Sequence, residues 1–146
     1  MDINQFEKGW STTITVAVTP DQVEYFAQAN NDRNPIHFDD AAAKLAGFPQ
    51  GCIVQGDLVA SLANSFLVEL LPGVILLERR SKFKHEAYVG QQVRFEITLK
   101  NVIKQNDDVS TSHVLFFDVI YFSMVGIPLV TSSVSALYII KKITPM

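Results

Sequence analysis

The chain has 146 residues, of which 48% are hydrophobic and only 18% are charged, and its formal net charge is −3. This length suits one domain with a real core, and the acidic balance excludes the basic face that nucleic-acid binding requires. Because soluble domains usually carry about 25% charged residues, the composition favours an apolar surface covered by a partner, most simply a second copy, over a merely well-filled core.

The chain shows no sign of export or of a membrane anchor. Its N-terminal residues lack the basic residues and the apolar run of a signal peptide, and the single Cys52 cannot form an internal disulfide. The most apolar stretch, residues 58–77, is interrupted by Pro72 and Gly73, so no membrane span is predicted. We therefore expect a cytoplasmic protein, with a single domain over residues 1–146.

The first predicted elements are a strand and a helix. Aliphatic residues alternate with smaller or more polar ones over residues 10–18, which predicts a strand. A helix should follow, with Thr19 as its cap, Pro20 at its first position and Gln22 completing a capping box. Helical spacing of apolar residues places Asn30 near the end of that helix.

Two further helices are predicted before the chain changes its period. A short helix over residues 39–46 should be closed by Gly47. A longer helix over about residues 56–71 should end at Pro72 and Gly73. Because this long helix has no wide charged face, we expect it to be buried on nearly all sides.

The second half of the chain predicts strands. Residues 93–100 alternate strictly between apolar and polar, and turn residues at 106–108 and 126–128 separate the stretches 109–122 and 129–141. With residues 74–83, this gives about five strands in mostly antiparallel order. Helices in the first half and strands in the second indicate an α+β fold, with a sheet curled around one long helix.

Asp32 and His37 are the candidate acid–base pair. On a helix, residues five apart would lie about 140° apart and would face away from each other. Pro35 excludes that helix, because proline lacks an N–H and forces the residue before it out of the helical region. The segment therefore predicts a turn that can bring a carboxylate and an imidazole onto one pocket wall.

A purely structural interpretation of the same segment stays open at this point. Asn-Asp-x-Asn-Pro is a common way to end a helix, so Asp32 could simply accept hydrogen bonds from backbone N–H groups. His37 could be a half-buried histidine with satisfied nitrogens.

The residues around this pair resemble those of the MaoC-like, (R)-specific enoyl-CoA hydratases, which have the hot-dog fold. The family motif is a small residue, then Asp-x-Asn-Pro-aliphatic-His, then a small residue six positions later. Here it is matched by residues 32–37 and by Ala43. Further similarity runs through residues 46–62 and, more weakly, through 83–93. The resemblance covers about residues 10–140.

This resemblance implies a role for each residue of the site. Asp32 and His37 would activate a water molecule that adds to a trans-2-enoyl thioester or leaves in the reverse reaction. The N–H of Gly56, at the start of the long helix, would donate to the thioester oxygen, as a helix N-terminus can. We expect further contacts with the substrate from Asn34, Gln55, Asp57 and Ser61, although Ser61 could equally be a small residue that packs the helix.

The sequence also departs from the family pattern. Gln55-Gly56-Asp57 stands where relatives have His-Gly-Met, and a carboxylate at position 57 would oppose a developing enolate if it pointed into the pocket. Asn31 replaces the usual glycine, which asparagine tolerates because it can adopt unusual backbone angles. His85 and Glu86 stand where relatives often have proline.

Two other functions stay open. A hot-dog thioesterase would use a carboxylate of the long helix, such as Asp57 or Glu69, and a non-catalytic acyl-binding module would keep only the fold. Neither metal-ligand spacing nor a Gly-rich phosphate loop is present in the sequence, so we expect no metal and no cofactor. The predicted partners are an acyl-CoA or acyl-carrier-protein thioester and a second copy of the chain, as a homodimer or a dimer of dimers.

Overall fold

The structure is a computed structural model and describes residues 2–143. Its five strands are β1 (Ser11–Ala17), β2 (Ile75–Phe83), β3 (Gln92–Asn106), β4 (Ser110–Ser123) and β5 (Pro128–Lys141). Its three α-helices are α1 (Pro20–Asn30), α2 (Asp40–Leu45) and α3 (Gly56–Leu70). Short 3-10 turns cover Ile3–Gln5 and Pro35–His37. The predicted α+β class and the positions of these elements are confirmed.

The strands form one antiparallel sheet in the order β1-β3-β4-β5-β2. Strands β3, β4 and β5 follow one another as hairpins, whereas β1 pairs with β3 and β2 returns to pair with β5. This order leaves β1 and β2 at the two edges. A five-stranded antiparallel sheet packed on one long helix is the hot-dog arrangement that the resemblance implies.

Local sequence signals place α1 and α2 as predicted. The Thr19 hydroxyl accepts a hydrogen bond from the Gln22 N–H, and the Gln22 side chain accepts one from the Thr19 N–H, so the capping box is formed. The Asp39 carboxylate caps α2 by accepting from Ala41 N at 2.8 Å. Gly47 follows α2 with φ +100°, the left-handed conformation expected of a helix-ending glycine.

The inner face of the sheet carries the core. Alternate residues of β4, including Leu115, Phe117 and Val119, are fully buried there. Opposite them, α3 packs through Val59 and Leu67. Burying such side chains typically contributes about 1.5–3 kcal/mol each, so this contact is the main apolar attachment between helix and sheet.

A buried tyrosine adds a polar attachment between α3 and the sheet. The Tyr121 hydroxyl donates to the Ala60 carbonyl at 2.9 Å and accepts from the Ala63 N–H at 3.3 Å. Burial raises the pKa of Tyr121 to about 12, which keeps the hydroxyl protonated. The helix is thus fixed to the last part of β4.

The prediction that α3 is buried on nearly all sides is wrong for the single chain. Val59, Ala60, Ala63 and Leu67 are buried, but Val68 is 51% exposed on the opposite face. One sheet covers one side of a helix, so the apolar side chains on the other side have no neighbours within the same chain.

Among residues 2–143, no helix is long and apolar enough to cross a membrane.

Candidate active site

The backbone of residues 31–37 is shaped by short-range hydrogen bonds. Asn31 ends α1 with φ +59°, which confirms the left-handed conformation expected at this position. Asp32 N donates to the Asn30 side chain at 3.0 Å, and Asn34 N donates to the Asp32 carboxylate at 3.3 Å. The Asn34 side chain then caps the 3-10 turn that begins at Pro35. We call residues 31–37 the acid–base segment.

This segment brings Asp32 and His37 together. The Asp32 Oδ2 and His37 Nε2 atoms are 3.6 Å apart, slightly beyond direct hydrogen-bond distance. The His37 side chain is only 8% exposed, whereas that of Asp32 is 41% exposed. A buried imidazole therefore stands beside a carboxylate that solvent or a substrate can reach, with room for a small molecule to bridge the two atoms.

The backbone of Ile53 fixes the orientation of the His37 ring. His37 Nδ1 lies 2.8 Å from the Ile53 carbonyl oxygen, which can only accept, so Nδ1 carries the proton. Ile53 N in turn donates to the Ile36 carbonyl at 3.1 Å. The ring nitrogen that faces Asp32 is therefore Nε2, and it is the one free to exchange a proton.

Arg33 attaches the acid–base segment to α1. Its Nη1 atom lies 2.8 Å from Glu24 Oε1, and its guanidinium lies 5.5 Å from the centre of the Phe38 ring. Hydrogen bonds from Gln28 and then from Arg33 lower the pKa of Glu24. The Arg33 side chain is therefore held by α1 and Phe38, and Asp32 and His37 stay the candidate acid–base pair of this segment.

Asp40 ties α2 to the segment that follows the loop at 48–51. Its Oδ1 atom accepts from Cys52 N at 2.9 Å, and this hydrogen bond is the main cause of the lowered pKa of Asp40. Burial, followed by the nearby Asp40, raises the pKa of the Cys52 thiol to about 11. Cys52 is partly buried and stays a neutral thiol at physiological pH, so it is not an activated nucleophile.

Residues 52–56 form a wall between two cavities. On one side, Ile53, Val54 and Gly56 line a cavity of about 450 Å³, the glycine cavity. On the other side, His37 and Cys52 line a cavity of about 560 Å³, the histidine cavity. The wall itself is held by hydrogen bonds from Val54 N to the Ala87 carbonyl and from Val89 N to the Cys52 carbonyl.

The glycine cavity has an apolar interior and a polar rim. Its apolar lining is formed by Phe48, Ile53, Val54, Val59, Phe83, Ala87 and Val130. Charged and polar side chains at its edge come from Asp57, Lys84, His85 and Glu86. A volume of this size lies within the range of small-molecule sites, and an apolar interior suits an acyl chain.

The two parts of the predicted site do not share one cavity in the single chain. Gly56 lines the glycine cavity, His37 lines the histidine cavity, and Asp32 is among the lining residues of neither. Gly56 is the first residue of α3, so its N–H has no acceptor within the helix. The structure thus brings Asp32 and His37 together and leaves Gly56 behind the wall that His37 contacts.

Gln55 points toward α1. It is 2% exposed, and its Nε2 donates to the Val23 carbonyl at 3.1 Å. Its Oε1 atom has no hydrogen-bond partner within residues 2–143. The side chain that was expected to contact substrate therefore anchors the start of α3 against α1.

Asn34 and Ser61 use their side chains within the chain. Asn34 Oδ1 accepts from Ile36 N, and the Ser61 hydroxyl donates to the Leu58 carbonyl at 2.7 Å, inside α3. Neither residue is among those that line the two cavities. The structure assigns both a local structural contact, and a contact with substrate stays a prediction.

Asp57 lies on the rim of the glycine cavity with a cation beside it. Its side chain is 70% exposed, and its Oδ1 atom is 4.0 Å from Arg79 Nη2. Arg79 also donates to the Ala60 carbonyl at 3.2 Å, which places the guanidinium against the first half of α3. The positive charge of Arg79 partly offsets the negative charge of Asp57, which is the residue that departs from the family pattern at the start of this helix.

Sequence patterns also missed one residue of the glycine cavity. Phe83, the last residue of β2, faces the inner side of the sheet with Arg79 and Ser81, as the alternation of the strand predicts. What the sequence did not show is that its ring lies against Gly56. The alternation of side chains along a strand shows which side of the sheet each one faces. It does not show which residue of another element that side chain contacts.

The other two histidines lie apart from the acid–base segment. His85 is on the rim of the glycine cavity. His113 is 4% exposed on the inner face of β4, and burial, followed by Lys104, lowers its pKa. Within residues 2–143, no group of three or more His, Cys, Asp or Glu side chains could hold a metal ion.

Comparisons with known proteins agree with this architecture. The model of the family described as "MaoC like domain" matches residues 4–115. The (R)-specific enoyl-CoA hydratase of Aeromonas caviae is 30% identical over 113 residues, which cover 76% of this chain and 83% of that protein. The solved structure of an (R)-hydratase from A. caviae involved in PHA biosynthesis has a TM-score of 0.77 at 27% identity, covering 92% of this chain and 97% of that one.

A plant protein is similar over a shorter stretch. The mitochondrial 3-hydroxyacyl-[acyl-carrier-protein] dehydratase FERN of Solanum lycopersicum is 38% identical over 77 residues, which are 53% of this chain. That stretch is 46% of the plant protein, so this match spans about half of its length.

Proposed function

The chain belongs to the family of MaoC-like domains, and we propose that it catalyses the (R)-specific addition of water to trans-2-enoyl thioesters or the reverse dehydration of 3-hydroxyacyl thioesters. The observation that carries this proposal is the pair formed by Asp32 and His37, whose reacting atoms are 3.6 Å apart. Similarity to an enoyl-CoA hydratase and to a 3-hydroxyacyl-carrier dehydratase supports the same reaction class.

The acid–base pair can supply both proton transfers of the reaction. Hydration places a hydroxyl on C3 and a proton on C2 of the substrate. One member of the pair would take a proton from water as the hydroxyl adds to C3, and the pair would then pass that proton to C2, so that both added groups come from one water molecule. Because His37 Nδ1 is held by the Ile53 carbonyl, Nε2 and the Asp32 carboxylate converge on the same water molecule.

We assign the Gly56 N–H the role of donor to the thioester oxygen. It stands at the N-terminus of a 15-residue helix, where free N–H groups and the helix dipole favour negative charge. As the hydroxyl adds to C3, negative charge develops on the thioester oxygen, and a fixed donor there lowers the barrier; the charge is neutralised when the proton reaches C2. Arg79, 4.0 Å from Asp57, reduces the repulsion that the nearby carboxylate would exert.

The proposed assembly is a homodimer, or a dimer of dimers, formed through β2. This edge strand is exposed and presents Ile75, Leu76 and Leu77, each about half exposed. The other edge strand, β1, carries mainly threonine and serine. Pairing of two β2 strands would satisfy their outer backbone groups and cover the exposed side of α3. A second subunit beside α3 would also enclose the space between Gly56 and the acid–base segment.

Leu77→Lys tests this assembly. A lysine at the half-exposed edge position should shift the chain toward monomer in light scattering and lower activity with it, whereas Val125→Lys, on the exposed hairpin, should leave the oligomer intact. A dimer unaffected by Leu77→Lys would exclude the β2 edge as the interface.

The hydratase assignment is tested with purified protein and crotonyl-CoA, whose enoyl absorbance falls on hydration. We expect turnover with the wild type, and a fall in kcat of about 10²–10⁴-fold in Asp32→Asn and in His37→Ala. Asp108→Asn, in an exposed turn, is the matched control, and thermal midpoints check that each variant is folded. Wild-type protein that leaves both CoA-linked and carrier-linked enoyl substrates unchanged would overturn the proposal and favour a non-catalytic acyl-binding module.

A thioesterase is the second candidate function, because Asp57 lies beside Gly56 on the rim of the glycine cavity. Release of free thiol from acyl-CoA measures this activity directly. The other candidate carboxylate, Glu69, is exposed near the far end of α3. Thiol release that disappears in Asp57→Asn would establish hydrolysis as the function.

The same assay, run with crotonyl-CoA and with the crotonyl thioester of a carrier protein, shows which of the two carriers the enzyme prefers. A single domain over residues 1–146 and a cytoplasmic location stay predictions from the sequence.

A further inference from the structure

Gly56 and Phe83 are in direct contact at the glycine cavity. A Cβ atom added to Gly56 would lie 2.7 Å from Phe83 Cε1 and 2.8 Å from Cδ1. Real Cβ atoms do not approach other carbon atoms so closely. Gly56 is also the first residue of a regular helix and does not have a positive φ, so an alanine here would require the Phe83 ring to move.

Phe83 is fixed in the sheet through its backbone, and its ring is not buried. Phe83 is the last residue of β2 and pairs with Val130 of β5, which is 2% exposed and lines the same cavity. The ring itself is 56% exposed, yet one of its edges rests on Gly56. A large apolar ring in this position contributes little to the core, and it occupies the space beside Gly56 that a Cβ atom would need.

We propose that Phe83 is a specificity-determining residue. Its ring packs against Gly56 and narrows the glycine cavity beside the proposed thioester site, so that enoyl thioesters without a substituent at C2 are admitted and those with a C2 methyl group are disfavoured. This inference rests on the proposed function, in which the Gly56 N–H binds the thioester oxygen.

The geometry of the substrate links Phe83 to C2. A conjugated enoyl thioester is planar, and C2 is bonded directly to the carbonyl carbon. When the oxygen binds at Gly56, C2 and its substituents lie close to the residue that already touches Gly56. An added methyl group would then meet the ring edge, and a single methyl misfit in an apolar site typically changes kcat/KM by about 10–200-fold.

The test compares crotonyl-CoA with 2-methylcrotonyl-CoA in the wild type and in Phe83→Ala. Intrinsic reactivity differs between the two substrates but cancels when the ratio of their kcat/KM values is compared between enzymes. We expect the kcat/KM of crotonyl-CoA divided by that of 2-methylcrotonyl-CoA to be about tenfold or more lower in Phe83→Ala than in the wild type. Phe48→Ala, which enlarges the same cavity from another loop, should affect both substrates alike.

A second measurement does not depend on activity. Gly56→Ala should lower the thermal midpoint, because the new methyl overlaps the ring, and the double variant with Phe83→Ala should recover it. A substrate ratio that is unchanged in Phe83→Ala, while wild type still hydrates crotonyl-CoA, would overturn the specificity role. Failure of wild type to hydrate any enoyl thioester would overturn the proposed function instead, while the thermal measurements would still report whether the contact exists.

Discussion

The acid–base segment and the Gly56–Phe83 contact are built in different ways. In the acid–base segment, the backbone that carries Asp32 and His37 is shaped by hydrogen bonds between residues two apart, and the Ile53 carbonyl orients the His37 ring. Gly56 and Phe83 lie far apart in the sequence and meet only because α3 packs on the end of β2. The first region holds polar groups in a fixed geometry, whereas the second controls the shape of an apolar space.

This difference separates proton transfer from substrate selection. A turn fixed by its own hydrogen bonds can keep two proton-transferring groups together while the surrounding surface varies. A contact between a helix and a strand end can change the size of a cavity without disturbing that turn. Variants in the acid–base segment should therefore act on kcat, and variants at Phe83 should act on the choice of substrate.

The largest expected effect comes from removing both proton-transferring groups. Asp32→Asn combined with His37→Gln should lower kcat by about 10²–10⁴-fold, and by no more than about tenfold beyond the worse single variant, because the two groups act as one unit. Steady-state rates with crotonyl-CoA measure this. If the kcat losses of the two single variants multiply in the double variant, Asp32 and His37 act independently, and the interpretation of the two groups as one unit is wrong.

A smaller effect is expected from loosening the turn without touching the pair. Asn34→Ala removes the acceptor for Ile36 N, at a cost of about 1 kcal/mol typical of a lost cap. We expect kcat to fall by about tenfold while the preference between crotonyl-CoA and 2-methylcrotonyl-CoA is retained. A changed preference would mean that the turn also shapes the acyl site.

Asp40 ties α2 to Cys52, and its contribution to stability should depend on pH. The hydrogen bond from Cys52 N holds the pKa of Asp40 below its usual 3.8, so its stabilising effect is complete above that pH and is lost as the pH falls through the lowered value. The thermal midpoint of Asp40→Asn should therefore fall less steeply than that of wild type between about pH 4 and 2. Parallel curves would exclude this role.

The smallest effect is expected for Asp57→Asn. The carboxylate is 70% exposed and has Arg79 nearby, so its loss should change hydration of crotonyl-CoA by less than about threefold. Initial rates at low and moderate salt provide the measurement. A large gain in rate would show that the charge opposes the reaction, and a large loss would place Asp57 in the mechanism.

Much of this molecule follows from patterns that span only a few residues. Three local patterns predicted the correct structure: the apolar–polar alternation in β3 and β4, the capping box at Thr19 and the proline at position 35. Each of them depends only on residues that are close together in the sequence. The turn that brings Asp32 and His37 together belongs to the same class, because most of its hydrogen bonds join residues two or three apart.

Only the tertiary structure decided how distant segments meet. The contact of Phe83 with Gly56, the direction of Gln55 toward Val23 and the exposed side of α3 depend on the register of β2 on β5 and on where α3 crosses the sheet. Hydrophobic periodicity predicts which side of a helix or strand is apolar. It does not predict which residue of another element packs against that side. The acid–base pair was therefore visible in the sequence, whereas the shape of the acyl site was not.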